Sequence, residues 1–459
     1  MEGFTIASGD NLREIVLSSE TNRKVLVKGV TGSGKTGLLI ERYRYLTGVL
    51  NVPSEKILVL LNNQRQCQNW LEKVYDNASG TIWCTTYYNF VQKEITTYYH
   101  LILKKCNNIY RKELKPKFLS YESSRFLISE VVERQRHKLG RFSGLTCENQ
   151  RLAAQIIENL SKAILSDIPF NEIGDRLFNS LELKDETKRQ LYRDADEVIK
   201  AYRSRCYELG VFDMCLSAEL YNTYLLRNPD YVKALQDRTE HLIVDDVQDL
   251  PPAALELIEL MLENAVSCFA ALNTEGGFGE YFAGNSTYIR EKLQEKLQVN
   301  MIAVNLNKSF TCSSSMYEFS DMLYENIQKA ENKKITGNKY IERNPPAELR
   351  SEMLDQISER IKGLIREEGY KPSDIFILST FADTVTELVI KRSLKRYGIV
   401  LKNLINNKRL NDNGYVKALI ALAVICHPDY GIYCKKDYVK TAMRIIFKLD
   451  AVRSSLLAA

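Results

Sequence analysis

Residues 29–36 read GVTGSGKT, and no other stretch restricts the fold of this chain as strongly. The spacing G-x-x-x-x-G-K-[ST] lets the backbone curl until successive N–H groups point at phosphate oxygens. The lysine then reaches the terminal phosphates and the hydroxyl is placed to ligate Mg²⁺. Such a loop works between a strand and a helix whose positive dipole end faces the anion. Both flanks are present: Lys24–Lys28 (KVLVK) predicts a strand, and a helix is predicted from Lys35 to Leu46, ended by Gly48. In a chain of 459 residues, ordinary residue frequencies give this pattern by chance roughly once in a hundred. The candidate phosphate ligands are Gly29, Val30, Thr31, Gly32, Ser33, Gly34, Lys35 and Thr36, with Thr36 also a candidate for the metal.

The segments that follow alternate. Ile57–Leu61 (ILVLL) is the continuous apolar run of a parallel strand covered on both faces. Gln64–Tyr75 predicts a helix and Thr81–Cys84 (TIWC) a short strand, so the order β-α-β-α-β implies a doubly wound parallel sheet. From about 92 to 205, polar segments of helical period dominate, including Glu122–Arg136 and Asn149–Leu165. Strand signals return at His241–Asp245, Val266–Leu272 and Met301–Leu306. A second α/β unit is expected beyond them. It has helices over Leu349–Glu368 and Thr384–Tyr397, strands at Asp374–Leu378 and Ile399–Leu401, and a helical tail from about 410.

Residues 242–249 read LIVDDVQD, a buried strand ending in acids. This is where a second, magnesium-side carboxylate belongs in an open α/β sheet. Asp245 is expected to hold Mg²⁺ through its water shell, Asp246 to face the attacking water, and Gln248 to sense the terminal phosphate. Composition excludes other classes more than it selects one. The chain is 45% hydrophobic and 26% charged, as in ordinary globular proteins. No apolar run reaches the ~18 residues of a membrane span. The opening MEGFTIASGD lacks the pattern of a signal peptide, so the expected compartment is the cytoplasm, with no membrane partner. Ten irregularly spaced cysteines and four histidines form no metal-ligand spacing.

Taken together, the two motifs resemble those of the superfamily 1 helicases of the UvrD/Rep/PcrA group, in order along essentially the whole chain. ILVLLNNQRQCQNWLEKV (57–74) looks like the segment after the family's first core strand, and TTYYNF (85–90) like T-F-H-S. GVFDMCL (210–216) is similar to G-x-x-D-F-x-D-L, and VDDVQDLPPAALELI (244–258) to V-D-E-x-Q-D. SFTC (309–312), with Met316 and Phe319, takes the N-Y-R-S position, and DIFILST (374–380) the D-I-A-V-L strand. The resemblance implies an α/β, P-loop RecA-like core with a helical insertion and a second, incomplete RecA-like domain. The first core would be split over 1–91 and 206–305, with the insertion at 92–205. The partial second core would be 306–409, and a second helical insertion would begin over 410–459. It implies ATP and Mg²⁺ as cofactors and single-stranded or partly duplex DNA as partner. Phe310 would stack on adenine, and Thr86, Tyr87 and Tyr88 would lie along single-stranded DNA.

The departures from the family pattern point to impaired turnover. The family's catalytic glutamate is Asp246, one methylene shorter, which sets its carboxylate ~1.5 Å back. A misplaced base costs ~10²–10⁴ in rate. The phosphate-facing arginine is Thr311, and a lost arginine finger costs ~10³–10⁵. Leu272–Gly276 (LNTEG) lacks the glycine, aspartate and glutamine of G-D-x-x-Q. Asn11 or Leu12 falls where the family reads adenine with glutamine, and Asn62 where it has a base-contacting aromatic. The family's late motifs, a second arginine finger among them, find no match before Ala459, which implies a truncated product, a degenerate paralogue or a partner chain completing the site. Tyr98–Phe118 mixes six basic residues with four aromatics. Alone it reads as a solvated helix face with its rings in the core; the resemblance adds a DNA-facing alternative. Three functions stay open: an ATP-driven DNA translocase or helicase, a pseudo-helicase that binds nucleotide or DNA as a regulator, and an unrelated P-loop ATPase.

Overall fold

The computed structural model describes residues 23–75, 80–109, 115–181, 185–277, 302–328, 347–379, 384–403, 413–428, 434 and 436–458. The chain divides into two compact units, Met1–Tyr340 and Ile341–Ala459.

The strands are β1 (Lys24–Gly29), β2 (Ile57–Leu61), β3 (Trp83–Thr86), β4 (Lys117–Phe118), β5 (Val211–Phe212), β6 (His241–Val244), β7 (Ser267–Asn273) and β8 (Ile302–Leu306). Six of them form one sheet in the order β3-β2-β6-β7-β1-β8, and every pairing is parallel. β4 and β5 make a separate parallel pair. Because the large sheet is all parallel, every strand delivers its carboxyl end to one edge. The third strand begins two residues later than TIWC suggested, because its register against β2 pairs Leu58 with Trp83 and Leu61 with Thr86.

Side chains alternate across the sheet, and both faces are covered. Val25, Val27, Ile57, Val59, Leu61, Ile243 and Phe269 pack on Leu39, Tyr43 and Leu46 of α1 (Lys35–Gly48) and Trp70 and Val74 of α2 (Gln64–Val74). Leu26, Leu58, Leu60, Leu242, Val244 and Ala270 share the opposite core with α3 (Tyr87–Lys105) and the helices after it. Burial on both faces is why these strands read as unbroken apolar runs.

Between β3 and β6 the chain is helical. It forms α3, α4 (Tyr121–Leu139), α5 (Asn149–Leu165), α6 (Ile173–Asn179), α7 (Glu186–Leu209), α8 (Met214–Leu220) and α9 (Pro229–Arg238), and α10 (Leu255–Asn264) follows β6. The rings of the basic stretch belong to this core. Tyr99 is buried against Phe212, Tyr98 packs edge-on to Tyr231 at 4.9 Å, and Phe118 packs against the same cluster. Lys104, Lys105, Lys115 and Lys117 are exposed, while Tyr110 lies outside the described residues. Among the described residues the stretch is a solvated basic face over rings that are buried or half-buried in the core. After β8 comes α11 (Ser314–Gln328).

In the second unit, α12 (Arg350–Arg366) and α13 (Thr384–Arg396) meet through Leu354, Ile361, Ile390 and Leu394. The strands expected at Asp374–Leu378 and Ile399–Leu401 join no ladder among the described residues. Their alternation survives all the same: Ile375 and Ile377 pack on the helices, while Phe376 and Leu378 are 70% and 91% exposed. A strand needs a hydrogen-bonded neighbour, and periodicity alone supplies none. α14 (Gly414–Cys426), α15 (Lys436–Ile446) and α16 (Ala451–Leu457) follow. No helix among the described residues is long and apolar enough to cross a membrane.

One titratable group sits inside the sheet. His241 opens β6 with its ring buried and Nδ1 2.7 Å from Ser267 Oγ on β7. Burial, and then the nearby Arg42 charge, lowers its pKa to about 4. The unfolded chain therefore takes up this proton first as pH falls, and stability is lost between about 6.5 and 4. Relative to His241→Asn, the wild type is expected to lose about 2 kcal/mol between pH 7 and pH 5 in urea titrations. Equal losses in both proteins would show that the ring is not held neutral.

Candidate active site

The loop after β1 needs its glycines for two reasons. Gly32 and Gly34 have φ of 74° and 89°, the left-handed region where a side chain is strained. A Cβ on Gly32 would also lie 1.9 Å from Thr311 Oγ1, and one on Gly29 2.8 Å from Leu306 Cβ. The chain leaving β8 thus packs directly on the loop, where Phe310 N–H donates to Gly32 O at 2.9 Å. Lys35, the first residue of α1, is nearly buried, and its Nζ donates to Gly29 O (3.0 Å) and Val30 O (2.7 Å). Desolvation lowers the pKa of this ammonium, against the opposing charges of Asp246, Asp245 and Glu275.

Asp245 follows β6 and extends its ladder, its N–H donating to Leu60 O at 3.1 Å. Asp245 is 2% exposed and accepts from Asp246 N–H at 3.1 Å, and the Thr36 hydroxyl lies near enough to its carboxyl to favour the charged form. Burial first, and the Asp246 charge second, push the Asp245 carboxyl up to about 6. A carboxylate and a hydroxyl in contact form a set of hard oxygen donors, the kind Mg²⁺ prefers. A cation there would relieve the strain of two adjacent acids, so these residues fit the metal.

Asp246 has φ 49° and ψ 50°, a left-handed conformation that aspartate tolerates better than most residues. Both of its carboxylate oxygens accept from carboxamides: Oδ2 from Gln66 Nε2 and Oδ1 from Gln248 Nε2, each at 3.2 Å. Asn62 Nδ2 holds its carbonyl at 3.0 Å. Buried Gln248 accepts from Asn273 N–H at 2.9 Å. Asn273 Nδ2 donates to Thr31 Oγ1 (3.1 Å), and Thr31 N–H donates to Glu275 Oε2 (2.9 Å). The loop, the acids and the ends of β2 and β7 therefore share one polar network. Gln66 escaped sequence analysis, although Asn63-x-x-Gln66 is a helix-capping pattern that could have flagged it: Asn63 Oδ1 accepts from Gln66 N–H at 2.9 Å. Asn273 and Glu275 had drawn notice only as departures.

The remaining expected residues lie on the same edge and on α3. Phe310 is 75% exposed, and its N–H is the group that binds the loop. Thr86 caps α3 by accepting from Asn89 N–H at 3.3 Å. Tyr87 is buried, with its hydroxyl donating to Ala253 O at 3.2 Å. The half-buried Tyr88 stands edge-on to Tyr87, and burial raises its hydroxyl pKa. Exposed Asn89 ties α3 to α2 through Gln64 Oε1 at 3.2 Å.

A strand–loop–helix with a buried carboxylate against its hydroxyl, at the carboxyl edge of a parallel sheet, defines a P-loop nucleotide-hydrolase core. The profile of the UvrD/REP helicase N-terminal domain matches residues 9–271, more than half of the chain, and the chain belongs to that family. No curated protein matches it. Helicases of this family are ATP-dependent and act on DNA, and the phosphate loop and both acids lie within the matched span.

A buried acid beside a half-buried one leaves a stability signature. In metal-free protein at neutral pH, Asp245→Asn is expected to raise stability by about 1–3 kcal/mol, because the variant no longer ionises a buried carboxyl. Thermal melts in EDTA check this; a lower melting temperature for the variant would contradict the strained-acid description.

Proposed function

We propose that the first unit binds ATP–Mg²⁺ at the carboxyl edge of its sheet and hydrolyses it slowly, as the motor core of a DNA translocase or helicase. The observation that carries this is the interaction of the Thr36 hydroxyl with the Asp245 carboxyl, which joins the phosphate loop to the acid strand, together with the pull of both acid charges on the Lys35 ammonium. On this reading the loop amides and Lys35 hold the phosphates, and Thr36 and Asp245 hold Mg²⁺, which would offset phosphate charge. Asp246 orients the water and Gln248 follows the terminal phosphate. Single-stranded DNA would lie near Thr86 and Tyr88, where Asn89 and Gln64 connect that surface to α2.

A second reading, a nucleotide-binding regulator that turns over negligibly, is favoured by two specific features. Both Asp246 oxygens are already engaged by carboxamides, and neutral Thr311 sits over the loop in the place of an arginine. The two readings differ in rate alone. Lys35→Ala should weaken Mg–ATP binding at least tenfold by calorimetry, and unchanged affinity would remove both. A DNA-stimulated turnover near 10 s⁻¹, an ordinary enzyme rate, would eliminate the regulator.

Asp246→Glu should raise hydrolysis if base reach is the limiting defect. No gain, together with a gain in Thr311→Arg, would assign the defect to the missing cation. Gln66→Ala frees Asp246 Oδ2 and should change the pH profile of any residual hydrolysis while leaving Mg–ATP affinity within about twofold, since Gln66 touches the base and not the phosphate loop. An unchanged profile would reduce Gln66 to a capping residue.

A further inference from the structure

The turn after β7 sends an acid into the phosphate loop. Thr31 N–H, one of the loop amides expected to meet an anion, donates to Glu275 Oε2 at 2.9 Å. The turn is built to hold that carboxylate there. Glu275 N–H donates to Asn273 Oδ1 at 3.1 Å, and Asn273 Nδ2 donates to Thr31 Oγ1 at 3.1 Å, so Thr31, Glu275 and Asn273 close a ring of three hydrogen bonds. Gly276 follows with φ 107°, and a Cβ on Gly277 would lie 2.3 Å from Asp249 Oδ1, so the chain after Glu275 is fixed closely against the acid strand's loop.

The end of the loop that Glu275 occupies can be identified. Lys35 Nζ rests on the carbonyls of Gly29 and Val30, the two residues just before Thr31, and the lysine of such a loop serves the terminal phosphates. A carboxylate on Thr31 N–H therefore stands at the terminal-phosphate end, where a third phosphate brings further negative charge. Resting on the ATP-binding function proposed above, we infer that Glu275 is an internal anion that occupies this end of the loop and sets the balance between nucleoside triphosphate and diphosphate. A triphosphate must turn Glu275 away from Thr31, whereas a diphosphate leaves it in place. The displacement is also felt at the acids, because Asn273 N–H is the donor that holds Gln248, and Gln248 holds Asp246.

The test compares Mg²⁺ complexes of ADP and of a non-hydrolysable ATP analogue, by calorimetry, on wild type, Glu275→Gln and Lys35→Ala. Glu275 is exposed, so Glu275→Gln should fold like the wild type, as an unchanged melting temperature would verify. Removing one exposed like charge beside the phosphate should tighten the triphosphate analogue roughly three- to tenfold and ADP by less than twofold. The gain should shrink as salt rises. Equal affinities for wild type and Glu275→Gln, or weaker analogue binding by the variant, would overturn the role of Glu275 while the nucleotide site stands, provided that Lys35→Ala still loses binding. If neither wild type nor Glu275→Gln binds either nucleotide, or Lys35→Ala binds as well as wild type, the nucleotide site itself fails and this role fails with it.

Discussion

The meeting of Lys35 with the acid pair Asp245 and Asp246 at the carboxyl edge of one parallel sheet is the constraint around which this molecule is arranged. Lys35 leans on the carbonyls of its own loop, and Asp245 keeps its charge against burial and against Asp246. On the proposed function, a polyphosphate and a divalent cation entering together would each supply the charge the other side lacks. What forces the groups together is the parallel sheet: β1, β2, β6 and β7 end at one edge, so residues up to 244 positions apart in sequence meet there.

Around that centre stand four carboxamides. Gln66 and Gln248 grip both oxygens of Asp246, and Asn62 and Asn273 brace its backbone and the second carboxamide. A carboxylate held on both sides is well oriented but poorly free to accept a water proton, which on the proposed function would slow hydrolysis. α2, which carries Gln66, is also tied to α3 by the Asn89–Gln64 hydrogen bond.

Much of the sheet was legible in the residues. ILVLL and HLIV read as strands covered on both faces because they are, and GVTGSGKT announced its own loop because glycine alone accepts the φ values at Gly32 and Gly34. What was not legible depends on partners distant in sequence. The alternation of Asp374–Leu378 carries no information about whether a neighbouring strand exists, and none is paired to it among the described residues. Tyr87 could be placed on an exposed segment by resemblance, but helix geometry turned its ring into the core. Gln66 looked like any polar residue at a helix start, and only the folded register of β2 beside β6 reveals that it reaches Asp246.

The most direct measurement is electron paramagnetic resonance of Mn²⁺ used in place of Mg²⁺, with and without ATP. If Thr36 and Asp245 close a metal site on the phosphate loop, Mn²⁺ should bind tightly only with ATP present, show coupling to ³¹P, and be released by Thr36→Ala. Mn²⁺ that binds equally well without nucleotide, or that is indifferent to Thr36, would contradict the joining of loop and acids on which every functional statement above depends.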